Sequence, residues 1–232
     1  MFQRFSWIAF LGMCVGNSGY AETVTLQAYT QLSDNFIGCS SSISQTGISV
    51  LFSPAAGLEE RLLQIPATPA AANSTVFLEI KDGTGQPLQS LRVGKAVDVP
   101  EQIACTLRFD DVNFDGYRDI AVVIAFGAKW SQSNYWVYDR KSDRYVTTAV
   151  TKALGELTPT EIHFDNTTKT IKTRYLVIND GVSYELFRIK GNRLVLMEKE
   201  ILHVEADPEK STATLYRRIH DKMRVVSQTI IY

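Results

Sequence analysis

The chain has 232 residues, with 24 Lys and Arg against 25 Asp and Glu and a formal net charge of −1. That length suits one medium domain or two small ones. Near neutrality argues against a nucleic-acid partner and against electrostatic adsorption to an anionic membrane.

The chain opens MFQRFSWIAFLGMCVGNSGYAETV. Arg4 supplies a positive n-region, and Phe5 to Val15 is an apolar run too short for a spanning helix. Gly19 and Ala21 make a cleavage site before Glu22, so residues 1–21 read as a signal peptide. The lipobox alternative, Leu11-Gly12-Met13-Cys14, places a large Met before the cysteine. Cleavage leaves 22–232 as one β-rich domain, with 22–100 as a possible N-terminal subregion, in the periplasm or outside the cell. No later segment is apolar enough to cross a membrane. Of three cysteines, Cys39 and Cys105 remain after cleavage. In an exported chain they read as one disulfide, with two separate buried thiols as the alternative.

The pattern that follows is mostly β. TVTLQAY (23–29) and TVFLEIK (75–81) alternate and are rich in β-branched and aromatic residues. GLEERLLQI (57–65) reads as a strand, although Leu58, Leu62 and Ile65 also fit a helical stripe. IPATPAAANS (65–74) is a loop and DGTGQP (82–87) a turn. IAVVIAF (120–126) is apolar at every position, as in a strand buried on both faces. NYWVYD (134–139), RYVTTAV (144–150) and TEIHFD (160–165) follow, and 150–157 permits one short helical turn.

The last third contains five strands in series: 169–178, 181–189, 193–202, 212–219 and 222–231. NDG (179–181) and KGN (190–192) are short hairpin signals. Such a series implies an antiparallel meander. The expected fold is all-β, with antiparallel sheets forming a sandwich or a propeller-like or barrel-like single domain that carries a calcium loop.

That loop is FDDVNFDGYRDI (109–120). Calcium takes six to eight oxygens, and an EF-hand-type loop supplies them from positions 1, 3, 5, 7 and 9, with Gly at 6. Asp111, Asn113 and Asp115 occupy 1, 3 and 5, Gly116 is at 6, and Tyr117 offers its carbonyl at 7. Asp119 is at 9. Val122 stands where an EF-hand has its final Glu, and the flanks are β-rich, so this reads as a strand-flanked calcium loop, with a polar Asx-rich turn that holds no ion as the alternative. Three carboxylates and an amide favour calcium over zinc.

Catalytic patterns are absent. His163, His203 and His220 lie far apart, each without a motif, and no HExxH, GxSxG or P-loop is present. The expectation is a binding protein, not an enzyme. Residues 127–134, GAKWSQSN, read either as a surface recognition loop with an aromatic anchor, Trp130, among small polar groups, or as an ordinary hairpin loop whose Trp130 folds back to cover the sheet.

The acidic loop, then NYWVYDRKSDRYV, EIHFDNTTKTIKT and YELFRIKGNRLVLMEKEIL in this order resemble a family of exported bacterial lysozyme-inhibitor-like proteins. It is the calcium-binding immunity-protein branch, related to periplasmic inhibitors of invertebrate-type lysozyme. The resemblance runs from about Cys105 to Ile201. It implies a β fold of about eight strands with bound Ca2+. It also implies a periplasmic immunity protein that blocks a lysozyme-like peptidoglycan hydrolase by inserting a loop into its substrate groove. Asp111, Asn113, Asp115, Tyr117 and Asp119 match the metal motif. The inhibitory loop matches by location, which assigns partner contact to Gly127, Lys129, Trp130, Ser131, Gln132, Ser133, Asn134 and Tyr135. Several relatives are lipoproteins, and this chain departs from them in lacking a proper lipobox. The alternative from a different class is a calcium-stabilised carbohydrate- or cell-wall-binding module.

Overall fold

The computed structural model describes residues 48–65, 75–95, 107–177, 181–204 and 211–230. The expected signal peptide, the strand at 23–29 and the Cys39–Cys105 pair lie outside the described residues.

Three open antiparallel sheets follow one another along the chain. The first contains β1 (Ile48–Phe52), β2 (Arg61–Ile65), β3 (Thr75–Lys81) and β4 (Pro87–Lys95). The middle sheet contains β5 (Leu107–Asp110), β6 (Asp119–Gly127), β7 (Trp130–Asp139) and β8 (Arg144–Val146). A helix, α1 (Ala149–Gly155), leads to the third sheet. That sheet contains β9 (Glu161–Asp165), β10 (Thr170–Val177), β11 (Gly181–Lys190), β12 (Arg193–His203), β13 (Thr212–Ile219) and β14 (Lys222–Ile230). In every sheet each strand pairs with its neighbour in sequence. This is what short turns between alternating strands dictate. At β11–β12 the turn is Gly191-Asn192, with Gly191 at φ 58°. Between β13 and β14, His220 and Asp221 both take positive φ, the requirement of a two-residue hairpin turn that follows the strand twist.

The sheets stack as a sandwich with a third layer, rather than closing into a barrel or propeller. The middle sheet supplies side chains to both cores. Ile120, Val122, Trp136 and Tyr138 join Leu63, Leu78, Ile80 and Leu91 of the first sheet in one core. Their alternate neighbours Ala121, Tyr135 and Val137 join Val150 and Leu154 of α1 and Ile171 and Phe187 of the third sheet in the other. Strand period two thus explains the unbroken apolar run at 120–126, because successive residues enter opposite cores. Burial on both faces holds only for the first part of β6. The strand then runs past the flanking layers, and Phe126 is 64% exposed. The fourteen strands among the described residues exceed the eight or so that the family resemblance implies.

Polar side chains bolt the layers together. The Gln89 amide pairs with the Tyr145 backbone as a strand neighbour would, donating to its carbonyl at 2.6 Å and accepting its N–H at 2.9 Å. The buried Arg61 guanidinium hydrogen-bonds the Asp143 carboxylate and lies 5.3 Å from the Tyr138 ring centroid. At α1, Thr148 and Thr151 form a reciprocal capping box that fixes the helix start.

Candidate functional site

The acidic loop sits where all three layers meet. Val112 is fully buried in the core against the third sheet, and Phe114 packs on the same core. Tyr117 packs on the other core, with its ring 5.4 Å from that of Tyr138. The Arg118 N–H donates to the Pro54 carbonyl of the first sheet's turn at 2.7 Å. From the third sheet, Lys169 Nζ donates to the Phe114 carbonyl at 3.1 Å. The path demands two left-handed residues, Phe114 at φ 62° and Gly116 at φ 89°. Gly116 is the turn glycine expected at position 6. Phe114 adopts the same region although it has a side chain, and its packing and the Lys169 bond hold it there.

Within the loop the structure brings Asp111, Asn113 and Asp115 together. The Asp111 carboxylate accepts the N–H groups of Asp115 at 3.0 Å and Gly116 at 2.9 Å. Asp115 accepts from the Tyr117 N–H at 2.9 Å and from the Asn113 amide at 2.7 Å. Burial raises the Asp111 pKa, and the Asp115 charge adds to that.

Asp119 is engaged by other partners. It has no exposed surface, and both its oxygens are engaged. Oδ2 accepts the Val112 N–H and Oδ1 the Tyr138 N–H, each at 2.8 Å. One carboxylate thus joins the loop, the start of β6 and the neighbouring strand β7. Among the described residues no three His, Cys, Asp or Glu side chains converge as a metal-holding group. The remaining donors, two carboxylates, the Asn113 amide oxygen and the Tyr117 carbonyl, are hard oxygens that suit calcium completed by water.

Burial pushes the Asp119 carboxyl up to about 8, aided by the Asp115 and Asp111 charges and opposed by its two amide hydrogen bonds. A carboxyl raised in the folded state favours the protonated form, so its stabilisation is complete below the ordinary carboxylate range and is lost as pH climbs through about 8. In chelator, the protein should therefore melt at a lower temperature at pH 8 than at pH 5, and Asp119→Asn should flatten that difference. Parallel pH profiles for the two proteins would contradict it.

Of the two readings of 127–134, the structure shows the hairpin, with a turn shorter than either reading implies. β6 runs to Gly127, β7 begins at Trp130, and only Ala128 and Lys129 turn between them. Ser131, Gln132, Ser133, Asn134 and Tyr135 are strand residues. Ser133 and Tyr135 are buried, and Tyr135 belongs to the core. Polarity suggested a loop because the partners of these residues are distant in sequence. The Ser131 N–H donates to the Pro159 carbonyl at 2.8 Å, Gln132 to Gly155 at 2.9 Å, and Asn134 to Val93 at 2.6 Å. The Thr160 hydroxyl donates to the Lys129 carbonyl at 2.6 Å.

The hairpin tip exposes Gly127, Lys129 and Trp130, the last at 42%. The indole lies over Gly127. A Cβ at that position would stand 2.5 Å from Trp130 Nε1, so glycine is what lets the ring lie flat. Phe126 projects from the same tip and was not anticipated. Its only sequence signal is its place just before Gly127, where the apolar run ends.

No helix among the described residues is long and apolar enough to cross a membrane. No family model matches the sequence, and no curated protein matches it. A solved structure that is similar in fold, of a Xanthomonas type IV secretion system related protein, has a TM-score of 0.52 and 14% sequence identity, covering 83% of this chain and 98% of that one.

Proposed function

We propose that this chain is an exported inhibitor or immunity protein that blocks a lysozyme-like peptidoglycan hydrolase with the β6–β7 hairpin tip, on a framework steadied by calcium. The observation that carries this reading is the tip itself. Trp130 and Phe126 stand exposed on a two-residue turn whose base is hydrogen-bonded to residues 155–160. Exposed aromatics on a pre-ordered element bind with little loss of chain freedom, which suits entry into a groove. The family resemblance points to the same target class. The similarity in fold to a secretion-system related protein agrees with a role in an exported setting.

In this reading calcium is held by Asp111, Asn113, Asp115 and the Tyr117 carbonyl, and it supplies positive charge to a self-repelling loop. Asp119 clamps the loop to β7 from the inside. Extracellular calcium concentrations permit weak affinity. Calcium should raise the melting temperature of wild type, while Asp115→Ala should melt like the chelated wild type in either buffer. Identical wild-type curves with calcium and with chelator would end the metal assignment.

Immobilised protein should deplete the peptidoglycan-lysing activity of a bacterial periplasmic extract. A wall-binding module would leave that activity in solution and sediment with purified peptidoglycan. The second outcome would replace the inhibitor reading.

A further inference from the structure

We infer that the cleft between β4, β7 and α1 is a binding site for a small sugar acid, whose carboxylate is taken by Arg92 and Lys152. The site goes beyond the hydrolase reading and stands or falls separately from it. The cleft holds about 380 Å³, which admits a monosaccharide-sized ligand rather than a chain. It exists because α1 ends close against β7. A Cβ on Gly155 would lie 3.2 Å from the Ser133 carbonyl oxygen, so glycine sets that approach.

Arg92 and Lys152 both line the cleft, and among the described residues neither forms an ion pair. Glu156 is the one acidic residue in the lining, so the site is net positive. A guanidinium offers a planar fork to a carboxylate, and an ammonium beside it adds charge without fixed geometry. Asn134 also lines the cleft and is held in place by donating its amide to the Val93 carbonyl, which leaves its own oxygen to accept from a ligand hydroxyl or amide. Thr147 adds a hydroxyl. The Thr151 hydroxyl, by contrast, is committed to the capping box. Tyr135 and Trp136 are successive residues of β7 whose side chains are anchored in opposite cores, so the strand between them is a rigid floor. Two cations and fixed polar groups over a rigid strand in one monosaccharide-sized space match a ligand that joins a carboxylate to hydroxyl and amide groups.

The test is an amide-resolved NMR titration of the full chain with N-acetylmuramic acid, and in parallel with N-acetylglucosamine, which lacks the carboxylate. The acidic sugar should shift the amides of Asn134, Thr147 and Lys152, and N-acetylglucosamine should leave them in place. In the Arg92→Ala/Lys152→Ala double variant the affinity should fall about tenfold or more, as expected for the loss of charge-assisted hydrogen bonds. Lys152→Arg, which keeps the charge, should retain binding. Absence of shifts at millimolar acidic sugar, equal shifts with both sugars, or an undiminished response in the double variant would each overturn the inference.

Discussion

Asp119→Ala should destabilise the protein by about 3 kcal/mol, the cost of leaving two buried N–H groups without acceptors. Those groups belong to Val112 and Tyr138, and no water reaches the carboxylate that now receives them. For a chain of this size the melting temperature should fall by about 6–12 °C. Asp119→Asn keeps one carbonyl acceptor but turns an amide donor toward the other N–H, so it should cost roughly half as much. Denaturant unfolding at pH 9, above the Asp119 pKa of about 8, where the ionised carboxylate accepts from both N–H groups, measures both when followed by the fluorescence of the buried Trp136. A loss under about 0.5 kcal/mol for the alanine variant would show that the clamp is dispensable, since changes of that size are ordinary for surface sites.

The second large effect concerns binding. Trp130→Ala should weaken hydrolase inhibition about a hundredfold while leaving the melting curve unchanged, the pattern of an aromatic anchor at an interface centre. The indole is largely clear of the cores, so the fold loses little. Gly127→Ala is the finer probe. It keeps the indole but places a methyl where the ring now lies, so Trp130 must move. Its effect should be smaller, about tenfold. If both variants inhibit as wild type does, the tip is not the contact.

Much of the fold was legible in the residues. TVFLEIK coincides with β3, and the last five strands follow from alternation and from the turn at KGN, whereas the turn at His220-Asp221 carries no Gly or Asn to announce it. The lean toward a strand in 57–65 holds for Arg61–Ile65, and the single helical turn allowed near 150–157 is α1. Strands β1, β4 and β5 escaped notice. In β4, Leu91 and Val93 alternate with the exposed Arg92, but Gln89, Ser90 and Gly94 dilute the signal.

The site was less legible, for a physical reason. Spacing places Asp119 at the ninth position of a metal loop, and spacing alone does not show that it faces inward. Its carboxylate is claimed by Tyr138, nineteen positions away. The start of β7 was hidden in the same way. Ser131, Gln132 and Asn134 resemble loop residues until their acceptors on Pro159, Gly155 and Val93 are known. Long-range acceptors turn polar residues into strand residues, and local propensity carries no record of them.

The inhibitor reading is tested most directly by titrating the protein into a lysozyme-like peptidoglycan hydrolase isolated on the immobilised chain and following the clearing of a peptidoglycan suspension. The account predicts that clearing stops near one inhibitor per enzyme. Clearing that continues at the wild-type rate under a large molar excess would contradict it.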